Sequence, residues 1–135
     1  LAALPPESEA WLDGGHNAGA GEAIAAFFTP DRLEGQKLQL VIGMLSNKDL
    51  DAYLVPFAGR IAHIHVLPVR GHDHHPPERF AAIANLWGIS CTAHDTAEEA
   101  IKTIAAAGNA APKLLIAGSL YLAGEILRLN GQYPD

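Results

Sequence analysis

The stretch "EAWLDGGHNAGAGEAIAAFF", residues 9–28, decides the fold. Its first five residues, 9–13, read as a short strand. Residues 18–28 repeat Ala, Ile and Phe at helical spacing until "TPD" breaks the pattern. Between them stand two glycines, a histidine and an asparagine, a turn with little side-chain bulk. Strand, glycine turn and helix make the first half of a βαβ unit, so the fold depends on whether the alternation continues.

It does. "KLQLVIG" (37–43) is a β-branched and leucine run of strand length. "DLDAYLVPFAG" (49–59) predicts a helix capped by Asp49, with Pro56 set to shorten or kink it. "IAHIHVLPV" (61–69) alternates as a half-buried strand does, and "PPERFAAIANLWG" (76–88) has Pro at a helix start and Gly at its end. "ISCTA" (89–93) is a short strand. "TAEEAIKTIAAAG" (96–108) opens with Thr96 and Glu99 at capping-box spacing. "KLLIAG" (113–118) and "SLYLAGEILRLNG" (119–131) close the series as strand and helix. Regular alternation predicts one α/β domain, a mostly parallel sheet with helices on both faces.

Composition sets the limits. At 135 residues, 49% hydrophobic and 18% charged, the chain can bury a core of its own and is not disordered. No apolar run is long enough to span a membrane. Nine Lys and Arg against fifteen Asp and Glu give a formal charge of −6, with no basic cluster, which argues against nucleic acid as a partner. The single cysteine, Cys91, excludes an internal disulfide and suits a reducing cytoplasm; its apolar neighbours favour a buried small side chain. The opening "LAALPPES" (1–8) lacks the basic and apolar regions of a signal peptide and reads as the end of a linker, as in a piece of a longer protein.

In open α/β sheets ligands bind where the carboxyl ends of strands run into helices. Three such junctions carry unusual residues. In "DGGHN" (13–17), Asp13 can accept from a hydroxyl and His16 can donate to a phosphate or carboxylate, beside a helix start that attracts anions. On spacing alone, a plain glycine turn with Asn17 as helix cap is the simpler reading. In "GMLSNKD" (43–49), Lys48 supplies a cation for an anionic substrate or is simply a solvated lysine. In "AGSLY" (117–121), Ser119 binds an anion or caps the helix.

Other patterns carry less. "RGHDHHPP" (70–77) gathers His72, Asp73, His74 and His75, which suit zinc by chemistry, but neighbours on one loop rarely close a tetrahedral set; a solvated, proline-bounded loop is the expectation. His63 and His65 share a strand face and read as histidines at the core edge. Ser119 does not stand in a GxSxG elbow, and no GxxxxGKS/T phosphate loop occurs.

With all three junctions in view, the chain resembles the C-terminal domain of folylpolyglutamate synthase and of the bifunctional dihydrofolate synthase form, within the Mur ligase superfamily. The family's "LDGAHNP", "GMxxxKD" and "GSLYLxGE" stand here in order as "LDGGHNA" (12–18), "GMLSNKD" (43–49) and "GSLYLAGE" (118–125). The resemblance covers essentially the whole chain. It implies a three-layer, Rossmann-like α/β domain over 9–135 with about six strands, one antiparallel, preceded by an ATPase domain that carries the phosphate loop. It implies a ligase that joins glutamate to folate or dihydropteroate with ATP and Mg²⁺, through an acyl phosphate, and a chain inactive by itself.

By the same resemblance, Asp13 approaches the nucleotide ribose, and His16 lies near the phosphates and the reacting centre. Asn17 shares their loop. Lys48 and Ser119 hold the carboxylate of the incoming glutamate, with Arg70 as a looser match. Gly15 stands for the family's Ala and Ala18 for its Pro, and neither change removes a functional group. Two other readings stay open: another Mur-type ligase, muramyl or cyanophycin, and a non-catalytic α/β module with a histidine-rich metal loop.

Overall fold

The computed structural model describes residues 8–13, 18–107, 111–118 and 124. Five strands, β1 (Glu9–Asp13), β2 (Leu38–Ile42), β3 (Ile61–Val66), β4 (Ser90–Ala93) and β5 (Lys113–Ala117), form one sheet in the order β1-β5-β2-β3-β4. Every strand pair is parallel. The expected sixth, antiparallel strand is not among the described residues, where the only antiparallel pairing is an isolated bridge, Leu45 with His74. The expected helix over 119–131 lies outside them.

Two cores follow from the pleat. Leu38, Leu40 and Ile42 of β2, Ile64 and Val66 of β3, and Leu115 of β5 point to one face. There they meet α1 (Ala18–Phe27), α3 (Leu50–Leu54) and α4 (Pro77–Trp87) through Ala25, Tyr53, Leu54, Phe80 and Ile83. Val41, Leu114 and Ile116 point to the other face, against Ala97, Ala100, Ile101 and Ile104 of α5 (Ala97–Ala106). These four positions form one apolar stripe at helical spacing. The β5 strand is buried at all five positions, as a strand covered on both faces must be.

The helix ends follow local chemistry. Thr96 accepts from the Glu99 amide at 3.2 Å, and the Glu99 carboxylate reaches back to the Asp95 amide at 3.1 Å. Asp49 accepts from the Ala52 amide at 3.0 Å. The helix expected over 49–59 is shorter: α3 stops at Leu54 and a 3₁₀ turn, Val55–Phe57, follows, because Pro56 has no N–H to continue the ladder. The "TPD" read as a breaker is also a start. Thr29 accepts from the Arg32 amide and Pro30 opens a one-turn helix, α2 (Pro30–Leu33). The strand expected over 61–69 ends at Val66, ahead of Pro68, another residue without an amide donor.

Two glycines allow contacts that a side chain would prevent. A Cβ on Gly21 would sit 2.2 Å from the Tyr53 carbonyl oxygen, so α1 and α3 approach through bare backbone. Gly118 has φ +99° and would place a Cβ 2.5 Å from the Gly43 carbonyl oxygen, where the loops after β5 and β2 touch.

On the α5 side, β3 and β4 present a histidine ladder. The His63 and His65 rings stack 4.1 Å apart. His65 Nε2 donates to Gln39 Oε1 at 3.0 Å, given the amide orientation that faces its oxygen to the ring. His65 Nδ1 then accepts from His94 Nε2 at 3.0 Å. That pattern requires a neutral His65. Burial, and then the neighbouring His63 and His94, push its pKa down to about 3. Burial also lowers His63 and His94, with Glu99 on α5 opposing the shift for His94.

Two outcomes are expected. Between pH 6.5 and 5 the unfolded chain protonates the position 65 imidazole while the folded chain does not, so stability is fully present above pH 6.5 and declines as pH falls. One such ring contributes up to about 1.4 kcal/mol per pH unit. Thermal unfolding followed from pH 7 to 5 should show this slope, and His65→Leu should flatten it; an unchanged slope in the variant contradicts the neutral ladder. Gly118→Ala should cost about 1–3 kcal/mol in chemical denaturation from backbone strain alone.

Candidate functional site

The register aligns all five strand ends. Asp13 pairs with Ala117, Ala117 with Ile42, Ile42 with Val66, and Val66 with Ala93. One row of residues therefore closes the sheet, and every strand-to-helix loop leaves from it. Asp13 is itself the last residue of β1, Lys48 lies in the loop after β2, and Arg70 lies in the loop after β3. Gly118 follows β5 directly. His16, Asn17 and Ser119 lie outside the described residues.

Asp13 is held by a residue that the sequence reading assigned to no role. Tyr53 of α3 is fully buried, and its hydroxyl donates to Asp13 Oδ2 at 2.6 Å. Burial, then the hydrogen bond to Asp13 and its charge, push the Tyr53 pKa well above the usual phenol range. Tyr53 is thus a permanent donor that fixes the Asp13 carboxylate. The Asp13 carbonyl accepts from the Gly118 amide at 3.2 Å, and the Ala117 carbonyl accepts from the Gly43 amide at 3.3 Å. Hydrogen bonds thus link Asp13 to the loop after β5, and that loop to the one after β2. They also join Asp13 to α3, whose cap Asp49 directly follows Lys48.

Lys48 is half-buried and stands directly before Asp49, the cap of α3. Its amide donates to the Leu45 carbonyl at 3.1 Å, and its carbonyl accepts from His75 Nε2 at 2.7 Å. Among the described residues its ammonium forms no ion pair. Arg70 is exposed and donates through Nη2 to the Asp95 carbonyl at 2.7 Å, which ties it to the connection between β4 and α5.

The histidine-rich loop is exposed at His72 and Asp73, as expected of a solvated loop, but not at its end. His75 is buried, and its amide donates to the Met44 carbonyl at 2.9 Å. His74 Nδ1 donates to the His72 carbonyl at 3.0 Å. Among the described residues no group of three or more His, Cys, Asp or Glu could hold a metal ion. Cys91 is half-buried, and burial pushes its thiol pKa up, in keeping with a packing role. No helix among the described residues is long and apolar enough to cross a membrane.

Two clefts flank the loop. One, of about 190 Å³, is lined by Leu67, Pro68, His74, His75 and His94. The other, of about 210 Å³, is lined by Leu45, Ser46, Asn47, His72 and Asp73. Both are smaller than the roughly 300–1,000 Å³ of a usual ligand pocket. Among the described residues, the rim offers polar groups placed at the strand ends.

Tyr53 is assigned no role in the sequence, and His75 is read there only as part of a candidate metal run in a solvated loop. Tyr53 sits in an apolar helix pattern and reads as core. The signal for His75 was weak: a histidine before a Pro-Pro helix start, in a run that looked solvated.

Residues 4–129 match the family model for the dihydrofolate synthetase C-terminal domain. Curated protein sequences give no match. Solved structures similar in fold include Mycobacterium tuberculosis folylpolyglutamate synthase complexed with ADP and AMPPCP, at 22% identity and a TM-score of 0.72 over 93% of this chain. The bifunctional folylpolyglutamate synthase/dihydrofolate synthase of Yersinia pestis, complexed with AMPPNP and Mn ion, matches at 20% identity and 0.72 over 92%. E. coli FolC in complex with DHPP and ADP matches at 21% and 0.72 over 92%. The chain spans 30% of the length of each of these three chains. At such identities the structures establish the fold, an α/β domain with a parallel sheet. The match over 4–129, on a sheet whose strand ends carry Asp13 and the Lys48 loop, makes the chain a member of the dihydrofolate synthetase C-terminal domain family.

Proposed function

We propose that the chain is the C-terminal domain of an ATP-dependent ligase that adds glutamate to folate, a folylpolyglutamate synthase that also accepts dihydropteroate in the bifunctional form. The observation that carries this reading is the shared rim: Asp13, the Lys48 loop and Gly118, which leads into Ser119, all leave one row of strand ends. A row of polar groups at the strand ends suits ligands gripped by a second module, here an N-terminal ATPase domain in a longer cytoplasmic protein.

In this reading Asp13, oriented by Tyr53, accepts a hydrogen bond from the nucleotide ribose. His16 and Asn17 meet the phosphates from the same turn, His16 nearest the reacting centre. Lys48 and Ser119 hold the carboxylate of the incoming glutamate, and Arg70 assists from the next loop. The donor set on the rim fits a hydroxyl and a carboxylate rather than a metal cage, so Mg²⁺ and most of ATP are assigned to the other domain. Mg²⁺ there neutralises phosphate charge.

The folate or dihydropteroate carboxylate attacks the γ-phosphorus of ATP, releasing ADP and forming an acyl phosphate. The glutamate amine then attacks the acyl carbon and expels phosphate, giving the amide and losing a proton. The contribution of this chain is positioning: a fixed cation places glutamate, and closure of the domains excludes water from the acyl phosphate.

Two experiments on the full-length enzyme test this. Lys48→Met should raise KM for glutamate about 10- to 100-fold, as expected for loss of a charge-assisted hydrogen bond, with KM for ATP little changed. An unchanged glutamate KM removes Lys48 from that role. Tyr53→Phe should cost about 1 kcal/mol of stability and raise KM for ATP a few-fold through a less ordered Asp13; a rise confined to glutamate KM would reverse the assignment of the two loops.

A further inference from the structure

We infer that His75 is a positioning residue for Lys48, acting from the neighbouring loop to set where the cation stands on the rim. The inference rests on the glutamate role proposed above for Lys48, and it gives a function to the "GHDHHPP" run that the family pattern does not explain.

The loop after β2 is not held by its own turn alone. Residues 73–75 run alongside it and pair with it like a second short strand. The Ser46 amide donates to the Asp73 carbonyl at 3.0 Å, Leu45 and His74 form an antiparallel bridge, and the His75 amide donates to the Met44 carbonyl at 2.9 Å. The last contact is made by a side chain. His75 Nε2 donates to the Lys48 carbonyl at 2.7 Å, across 27 positions of sequence. Because the carbonyl can only accept, this nitrogen carries the proton.

His75 is 8% exposed, so water competes little for that bond. The carbonyl it holds belongs to the residue whose ammonium is the proposed carboxylate ligand. A second tie lies one turn further on: Arg79 of α4 pairs with Asp51 of α3 at 2.9 Å. That pair is exposed and of little energetic weight. The buried imidazole is therefore the side chain that ties the Lys48 backbone to the neighbouring loop, beside the bond of the Lys48 amide to Leu45 within its own turn. A lysine recognises a carboxylate as a point charge on a long stem, so small displacements of its Cα change where the charge can reach.

The test uses the full-length enzyme and four variants: Lys48→Met, His75→Met, His75→Gln and the double Lys48→Met/His75→Met. A Gln amide can place an N–H near the imidazole Nε2, whereas Met fills the volume without a donor. His75→Met should raise KM for glutamate about tenfold, with KM for ATP and kcat at saturating glutamate within about twofold. His75→Gln should recover most of the loss, and the double variant should be no worse than Lys48→Met alone. A uniform fall in kcat with no glutamate-specific change, or no recovery by Gln, overturns the positioning role. If His75→Met fails to fold, His75→Asn, whose shorter amide falls short of the Lys48 carbonyl, replaces it in the single and double variants with the same expected outcomes. A Lys48→Met enzyme with normal glutamate KM sinks the underlying reading of Lys48. A raised KM there beside a silent His75→Met sinks this inference alone.

Discussion

Strand β5 lies between β1 and β2, hydrogen-bonded to both, although about a hundred residues separate it from β1 and about seventy from β2. Burial on both faces demands that it present almost nothing polar to the core, and "LLIA" satisfies this. Lys113, at its amino end, is the exception, and its ammonium is met by the Glu9 and Glu34 carboxylates. Inserting β5 is what brings Gly118 between Asp13 and Gly43 and aligns the three strand ends. Without that insertion the three loops read as chemically unusual in the sequence would leave from separated strands.

The insertion also explains the glycines. Where three parallel strands end in one row, the chains that leave them crowd, and Gly118 passes Gly43 with no room for a side chain. The same crowding brings Tyr53 over the end of β1, where its hydroxyl fixes Asp13. Packing and chemistry are joined at that bond: the tyrosine that fills the core between α1 and the sheet also orients the carboxylate at the rim.

Much of this was legible in the sequence because it is local. The Asp49 cap and the Thr96–Glu99 capping box depend on residues within one turn, and they stand as expected. The parallel sheet followed from the alternation of elements. What escaped was set by contacts distant in sequence or by a signal with two meanings. Thr29-Pro30 both ends α1 and starts α2. Tyr53 reads as core until β1 is placed beneath it, and His75 reads as solvent-exposed until the loop after β2 is laid against it. His65, taken as a histidine at the core edge, is buried and bonded at both nitrogens.

The central claim is that ligands gripped by a neighbouring domain meet this chain along the carboxyl ends of its strands. A crystal structure of the full-length enzyme with ADP and glutamate bound tests it most directly. The account predicts the Asp13 carboxylate within hydrogen-bond distance of a ribose hydroxyl and the Lys48 ammonium within ~3–4 Å of the glutamate carboxylate. Ligands seated against the amino ends of the strands, or beside the histidine ladder, would contradict it.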